Sequence, residues 1–282
     1  MSMTRPWLQF SRERLALPAC LLLAGGFAVS GAMITGRDPD PVSTVLIMQL
    51  LLLLLIELRL MDEYKDRDKD AVAHPERPLP RGLITPGSLR RMIGIIYGGM
   101  LLLVPVLALS GLRTAALWFL LTLWCGLMYR EFFAPDRLNA RPWLYALTHQ
   151  LLVPLMVLFA VAMHGGPTGT IPVAGLALMA LGGFFNYEVC RKLDPAAHPV
   201  LGNYRTIYGR GGAALMSLAA LAVAALGTMM AGPGPGMWLF PVQLLCALSL
   251  GLLWIRPGAW KGIEILATLG LVLHIWAGVF YG

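Results

Sequence analysis

Four carboxylates close the most apolar run of the chain, where VLIMQLLLLLLIELRL gives way within two residues to Asp62, Glu63, Asp66 and Asp70. Steps of three and four residues connect them, so a helix continued two turns past the apolar run presents them on one face. Like charges at that spacing repel, which favours a bound cation. A hard divalent ion fits best: Mg²⁺ takes oxygen ligands and is commonly shared between one or two carboxylates and a substrate's phosphates. Lys65, Arg67 and Lys69 alternate with these acids, and a solvated, self-neutralised helix end accounts for the periodicity equally well. Two further features favour the ion. The downstream HPERPLPRGLITPGS carries Arg77 and Arg81, fork-shaped donors suited to phosphate oxygens. Glu57 and Arg59 stand at the end of the apolar run, where ionisable groups are costly and usually functional. The chemistry indicated is a magnesium-bridged diphosphate site.

A second polar stretch, FFNYEVCRKLDPAAHPVLGNYRTIYGRGGA, contains Asn186, Glu188, Arg191, Lys192, Asp194 and Arg205. On a helix Asn186 shares a face with Cys190, and Glu188 with Lys192. Glu188 either pairs with Arg191 or Lys192, as surface acids on helices do, or helps to hold a metal. Arg191, Lys192 and Arg205 are suited to clamp a diphosphate directly. Tyr129, Glu131, His149 and Gln150 form a weaker set at other helix ends, and a lone histidine there is more often an interfacial hydrogen-bonding residue than a base.

The elements that position these residues are membrane helices. Of 282 residues 57% are hydrophobic and 13% charged, with mean hydropathy +0.70, a balance no soluble domain of this length carries. Gly, Pro and charge divide the chain into nine expected spans, near 15–35, 43–61, 91–110, 114–130, 143–163, 171–190, 211–231, 237–255 and 260–280. The run after the basic MSMTRPWLQFSRER is too long for a signal peptide and reads as a retained helix. Basic residues crowd the N-terminus and the even-numbered connections, whereas the odd ones hold only Arg37 and Arg113. This asymmetry places the N-terminus in the cytoplasm and the C-terminus outside, and it explains the net charge of +7 without nucleic acid. Cys20, Cys125, Cys190 and Cys246 are widely separated in apolar segments and read as small hydrophobes.

DEYKDRDKD followed by RPLPRG resembles the first aspartate-rich motif of the UbiA superfamily of intramembrane prenyltransferases, usually NDxxDxxxD and then RPLPxG. Gly202, Thr206 and Gly209 are similar to the tail of that superfamily's second motif. Asp62 stands where the family usually has Asn, Glu63 where it has Asp, and the acids of the second motif are reduced to Glu188 and Asp194. The resemblance implies a single all-α domain over 1–282, nine transmembrane helices around a central apolar cavity open to the cytoplasmic side, in a bacterial inner membrane. It implies Mg²⁺ on Asp62, Glu63, Asp66 and Asp70, and on Asn186, Glu188 and Asp194. The diphosphate then falls to Arg77, Arg81, Arg191, Lys192 and Arg205, with Asp66, Asp70, Arg77 and Lys192 expected as the catalytic set. The expected reaction is ionisation of an allylic prenyl diphosphate and transfer to an unidentified acceptor. Cyclisation without an acceptor is the alternative, and a cation-binding transporter or CDP-alcohol phosphotransferase the reading from other classes. Mid-span positions are almost purely apolar, and no DGxxAR-type signature occurs.

Overall fold

The computed structural model describes residues 4–256 and 258–281, which are all helix and connection, with no strand among them. In chain order the helices are α1 (Thr4–Arg14), α2 (Leu17–Met33), α3 (Pro41–Lys65), α4 (Arg67–Ala73), α5 (Pro86–Ala108), α6 (Leu112–Tyr129), α7 (Pro135–Asn139), α8 (Pro142–Gln150), α9 (Leu152–Met163), α10 (Ile171–Cys190), α11 (Tyr204–Ala231), α12 (Pro233–Ser249), α13 (Leu252–Ile255) and α14 (Trp260–Ile275). Short 3₁₀ turns occupy Glu131–Phe133, Pro199–Leu201 and Ala277–Phe280.

Among the described residues, seven segments are long and apolar enough to cross a bilayer: α3, α5, α6, α8 with α9, α10, α11, and α12 with α13. Nine were expected. The first expected span, 15–35, is α2, which at 17 residues is short; α1 precedes it at 63° across a two-residue gap, and the pair makes an eighth crossing only if it counts as one. Pro18 opens α2, where its fixed φ suits a first turn but prevents continuation from α1. At 16 residues, α14 is short of the roughly 20 that a span needs.

The outer surface is greasy: Leu102, Leu109, Leu215, Met229, Leu244 and Leu248 are all exposed, as lipid-facing side chains should be. Packing is tightest between α10 and α11. A Cβ on Gly182 would lie 2.5 Å from the Ala220 carbonyl oxygen, and one on Gly227 2.5 Å from the Gly175 oxygen. Small residues therefore let the two backbones touch, the usual route to close helix contact where lipid removes the hydrophobic drive. Buried polar bonds reinforce the bundle. Gln243 Nε2 donates to Thr228 Oγ1 at 2.8 Å and lies 2.9 Å from His274 Nε2, joining α11, α12 and α14. Ser30 donates to the Ile275 carbonyl at 2.7 Å and accepts from Gly278 N at 3.0 Å, tying α2 to the C-terminal turn.

Two caps prepare the first charged segment. Asp40 accepts from Ser43 N at 2.8 Å, and Pro41 starts α3; that backbone hydrogen bond holds the Asp40 carboxyl below its usual pKa. Thr85 accepts from Ser88 N at 3.1 Å and ends the Pro-rich loop with Pro86 in the first turn of α5.

Candidate active site

The four acids at the end of α3 and the start of α4 do not all share one face. The helix stops at Lys65, Asp66 makes the junction, and α4 restarts at Arg67. Backbone bonds run through the junction, Asp66 N to Asp62 O and Asp70 N to Asp66 O, both at 2.8 Å. Asp62, Asp66 and Asp70 therefore follow one another a turn apart, while Glu63 is turned to the other side. There its Oε1 accepts from Arg59 Nη2 at 2.6 Å, from Arg14 Nε at 2.6 Å and from Arg14 Nη2. The Glu63 side chain is 1% exposed. Asp70 is likewise buried and accepts from Arg77 Nη1 at 2.5 Å. Arg81 reaches Glu13 at 2.8 Å, so the end of α1 clasps both α3 and the loop that follows it. Asp62 and Asp66 are exposed and have no hydrogen-bond or ion-pair partner among the described residues.

The second charged segment begins at the C-terminus of α10. Glu188 is fully engaged: Oε2 accepts from Arg191 Nε at 2.6 Å and Nη2 at 2.5 Å, and Oε1 from Lys192 Nζ at 2.8 Å. Burial works against the Arg191 charge, but the adjacent Glu188 carboxylate outweighs it and the guanidinium pKa goes up. Asn186 is buried, and its Oδ1 accepts from Ser217 Oγ at 2.5 Å, pinning α10 to α11. Asp194 Oδ1 accepts from Ala196 N at 2.9 Å, and its carbonyl from Asn203 Nδ2. These three expected metal ligands are thus committed to protein partners. Gly202, with φ +63°, closes the Pro199–Leu201 turn, and Gly209, with φ +70°, breaks α11 one turn after its start; only glycine adopts such backbone readily. Arg205, on that first turn, keeps a buried Nη1 without a partner.

The two segments come together. α4 packs on the Pro199–Leu201 turn. Between them stand three residues that the sequence analysis did not place in the site or ranked low. Lys65 Nζ donates to Tyr145 Oη at 2.7 Å and to the Met128 carbonyl at 3.2 Å, with Glu131 at 3.8 Å. His149 stacks on Tyr145 at 4.0 Å, its Nδ1 2.8 Å from the Tyr145 carbonyl. That bond makes Nδ1 the donor and leaves Nε2 as acceptor, buried without a partner. The signal for Tyr145 and His149 was their i, i+4 spacing after the helix-starting Pro142. Glu131, Phe132 and Phe133 all have positive φ, from 48° to 56°, a conformation costing on the order of 1–3 kcal/mol per residue. It holds Glu131 toward Lys65 and sets Phe132 edge-on to Trp124 and His149.

No three His, Cys, Asp or Glu side chains converge as a metal cluster among the described residues. The pair Asp62 and Asp66, spaced one turn apart with free oxygens, fits a single hexacoordinate ion that keeps waters and takes substrate oxygens; Asn186, Glu188 and Asp194 do not fit a second. A pocket lined by Met229, Gly232, Pro233, Gly236, Met237 and Phe240 lies at the α11–α12 turn, at the opposite end of α11 from Arg205, and offers no charged group.

The sequence matches the UbiA prenyltransferase family over residues 22–262. It is 31% identical over 99 residues to the digeranylgeranylglyceryl phosphate synthase of Natronomonas pharaonis, a match spanning 34% of this chain and 36% of that relative. A structure from work on digeranylgeranylglyceryl phosphate synthase in membranes superposes with TM-score 0.66 at 14% identity, covering 96% of this chain and 97% of the other. The apo structure of a UbiA homologue from Aeropyrum pernix K1 gives 0.64 at 17% identity, covering 92% and 96%.

Proposed function

The chain belongs to the UbiA prenyltransferase family; from that premise we propose that it is a membrane prenyltransferase, which ionises an allylic prenyl diphosphate with Mg²⁺ and passes the prenyl group to a lipophilic or aromatic acceptor. The observation that carries this reading is the packing of α4 on the Pro199–Leu201 turn, which brings the two charged segments together at one end of an apolar bundle. Asp62, Asp66 and Arg191 are all exposed, which supports a site open to a ligand at that end. Positive charge on the same end supports a cytoplasmic mouth. Nine crossings remain the proposed topology, with α1 and α2 forming the first. The last is α14 extended by the Ala277–Phe280 turn, since α14 packs on α2, α10 and α12.

Asp62 and Asp66 are the proposed ligands of Mg²⁺, which when bound supplies Lewis-acid neutralisation of the leaving diphosphate. Arg191 and Lys192 are placed to bind the remaining diphosphate oxygens, with Lys65 adding positive field beside Asp62. Cations fixed before the reaction stabilise charge that develops as the allylic C–O bond breaks, without reorganisation cost. The apolar helices below receive the isoprenoid tail and keep water from the allylic cation. Arg77 fixes Asp70 and acts as a positioning residue.

The test is purified protein with Mg²⁺ and C10 to C20 prenyl diphosphates, with and without acceptors, read by mass spectrometry. The product named for the Natronomonas relative supports including a prenylglyceryl phosphate among the acceptors. Prenylated acceptor with released diphosphate is expected, and Asp62→Ala or Asp66→Ala should abolish both in protein that still folds in detergent. A cyclic hydrocarbon formed without acceptor would replace transfer by cyclisation. Full activity in either variant would overturn the ligand assignment.

A further inference from the structure

We propose that this chain binds one divalent cation, on Asp62 and Asp66, and that Arg191 and Lys192, fixed by Glu188, occupy the place of a second. The inference rests on reading the site as a diphosphate site. Of the seven residues expected to ligate metal, five give at least one side-chain oxygen to a protein donor, and Glu188 gives both. Glu63 is gripped by Arg14 and Arg59, and Asp70 by Arg77. Asn186 Oδ1 is taken by Ser217 and Asp194 Oδ1 by Ala196 N. Glu188 gives one oxygen to Arg191 and the other to Lys192.

Charge decides the matter. A second ion on Glu188 would have to displace both cations from a carboxylate whose side chain is 13% exposed, stranding them beside the incoming metal. The arrangement as it stands already supplies part of what that ion would bring, since Glu188, Arg191 and Lys192 sum to one positive charge. Arg191 uses Nε and Nη2 on Glu188, which leaves Nη1 and the outer Nη2 hydrogen for an anion. α4, which begins directly after Asp66, packs on the Pro199–Leu201 turn of the connection that carries Lys192, so one diphosphate can be held by the metal on one side and by guanidinium and ammonium on the other. Arg205, with its unpartnered buried Nη1, adds a donor from the same connection.

The test counts ions directly. Mn²⁺, which shares the oxygen-rich octahedral preference of Mg²⁺, is titrated with inorganic pyrophosphate into the purified chain in detergent. Ions bound per chain are counted after desalting, and electron paramagnetic resonance reports whether any are paired. One Mn²⁺ per chain without dipolar coupling is expected. Glu188→Gln and Asp194→Asn should keep the count at one; Asp66→Asn should bring it to zero. Arg191→Ala should weaken pyrophosphate binding by about tenfold or more, as loss of a charge-assisted contact does, at an unchanged ion count. Two coupled ions in the wild-type chain, or loss of the ion in both Glu188→Gln and Asp194→Asn, would overturn the inference and leave the prenyl diphosphate reading standing. No bound ion in the wild-type chain would overturn the metal-dependent reading itself.

Discussion

Glu63 occupies a metal-ligand position of the aspartate-rich motif yet serves as a structural clasp, and Glu63→Gln separates the two roles. In the folded chain its carboxylate holds Arg14, whose side chain is 15% exposed, and Arg59, at 36%. Removing the anion leaves two guanidinium groups facing each other, with Arg59 Nε still on the Arg14 carbonyl at 3.1 Å. Breaking a fully buried pair by deleting one partner costs about 3–5 kcal/mol. Arg59 is more than a third exposed, so solvent screening reduces the expected loss to about 2 kcal/mol. At roughly 2–4 °C per kcal/mol for a chain of this size class, the melting temperature in detergent should fall by about 4–8 °C. The affinity for Mn²⁺ with pyrophosphate should stay within about twofold, because no coordinating oxygen is lost. The assay is thermal unfolding alongside Mn²⁺ titration of the same preparation. A melting temperature that holds while Mn²⁺ affinity drops would show that Glu63 is a ligand and that the clasp is unimportant.

Arg77→Ala should lower the melting temperature as well as raise the KM for the prenyl diphosphate, because it strands the buried Asp70; a raised KM with unchanged melting would make Arg77 a direct substrate contact instead. Gly182→Val should destabilise the chain by at least about 2 kcal/mol, since a Cβ there meets the Ala220 oxygen at 2.5 Å and overpacked contacts cost about 1–3 kcal/mol. An unchanged melting temperature would mean that α10 and α11 are not held backbone to backbone. His164, at the end of α9, has its pKa lowered chiefly by burial, so the unfolded chain takes up a proton that the folded chain resists. The stability it contributes is present above the unfolded pKa, about 6.5, and is lost as pH falls through the lower folded value. Between pH 7 and pH 5 the melting temperature should therefore drop more for the wild-type chain than for His164→Gln, and equal drops would contradict this.

The membrane fold was largely legible because its causes are local. Apolar runs of about 20 residues, Gly and Pro between them and basic connections are properties of short segments, and each maps onto a helix or a broken pair. The first expected span starts at the break near Leu15 and Ala16; what was not foreseen is the helix before it, α1, whose TRPWLQFSRER carries no apolar run. The shortness of α14 was missed for the opposite reason. Trp276 and Phe280 continue the hydropathy, but the backbone turns from α-helix to 3₁₀ at Ala277.

The site was legible in its residue types and illegible in its partnerships. Which acids cluster, and which basic residues lie near, can be read from two short stretches; which carboxylate each guanidinium neutralises cannot. Arg14 and Glu63 are 49 positions apart and meet only because α1 folds back at 63°. Neither Asn186, pinned by Ser217 across 31 positions, nor Tyr145, bonded to Lys65 across 80, shows such a partner in its own neighbourhood. Glu188 is the contrasting case, since both of its cations lie within one helical turn and plain i, i+3 and i, i+4 spacing accounts for the outcome. The same long-range pairing sets the proposed chemistry. Four carboxylates at one helix end repel one another, and this chain relieves that strain mainly with its own arginines. What distinguishes Asp62 and Asp66 is therefore that the tertiary fold brings no partner to either, leaving both free for an ion. Their spacing is only the precondition.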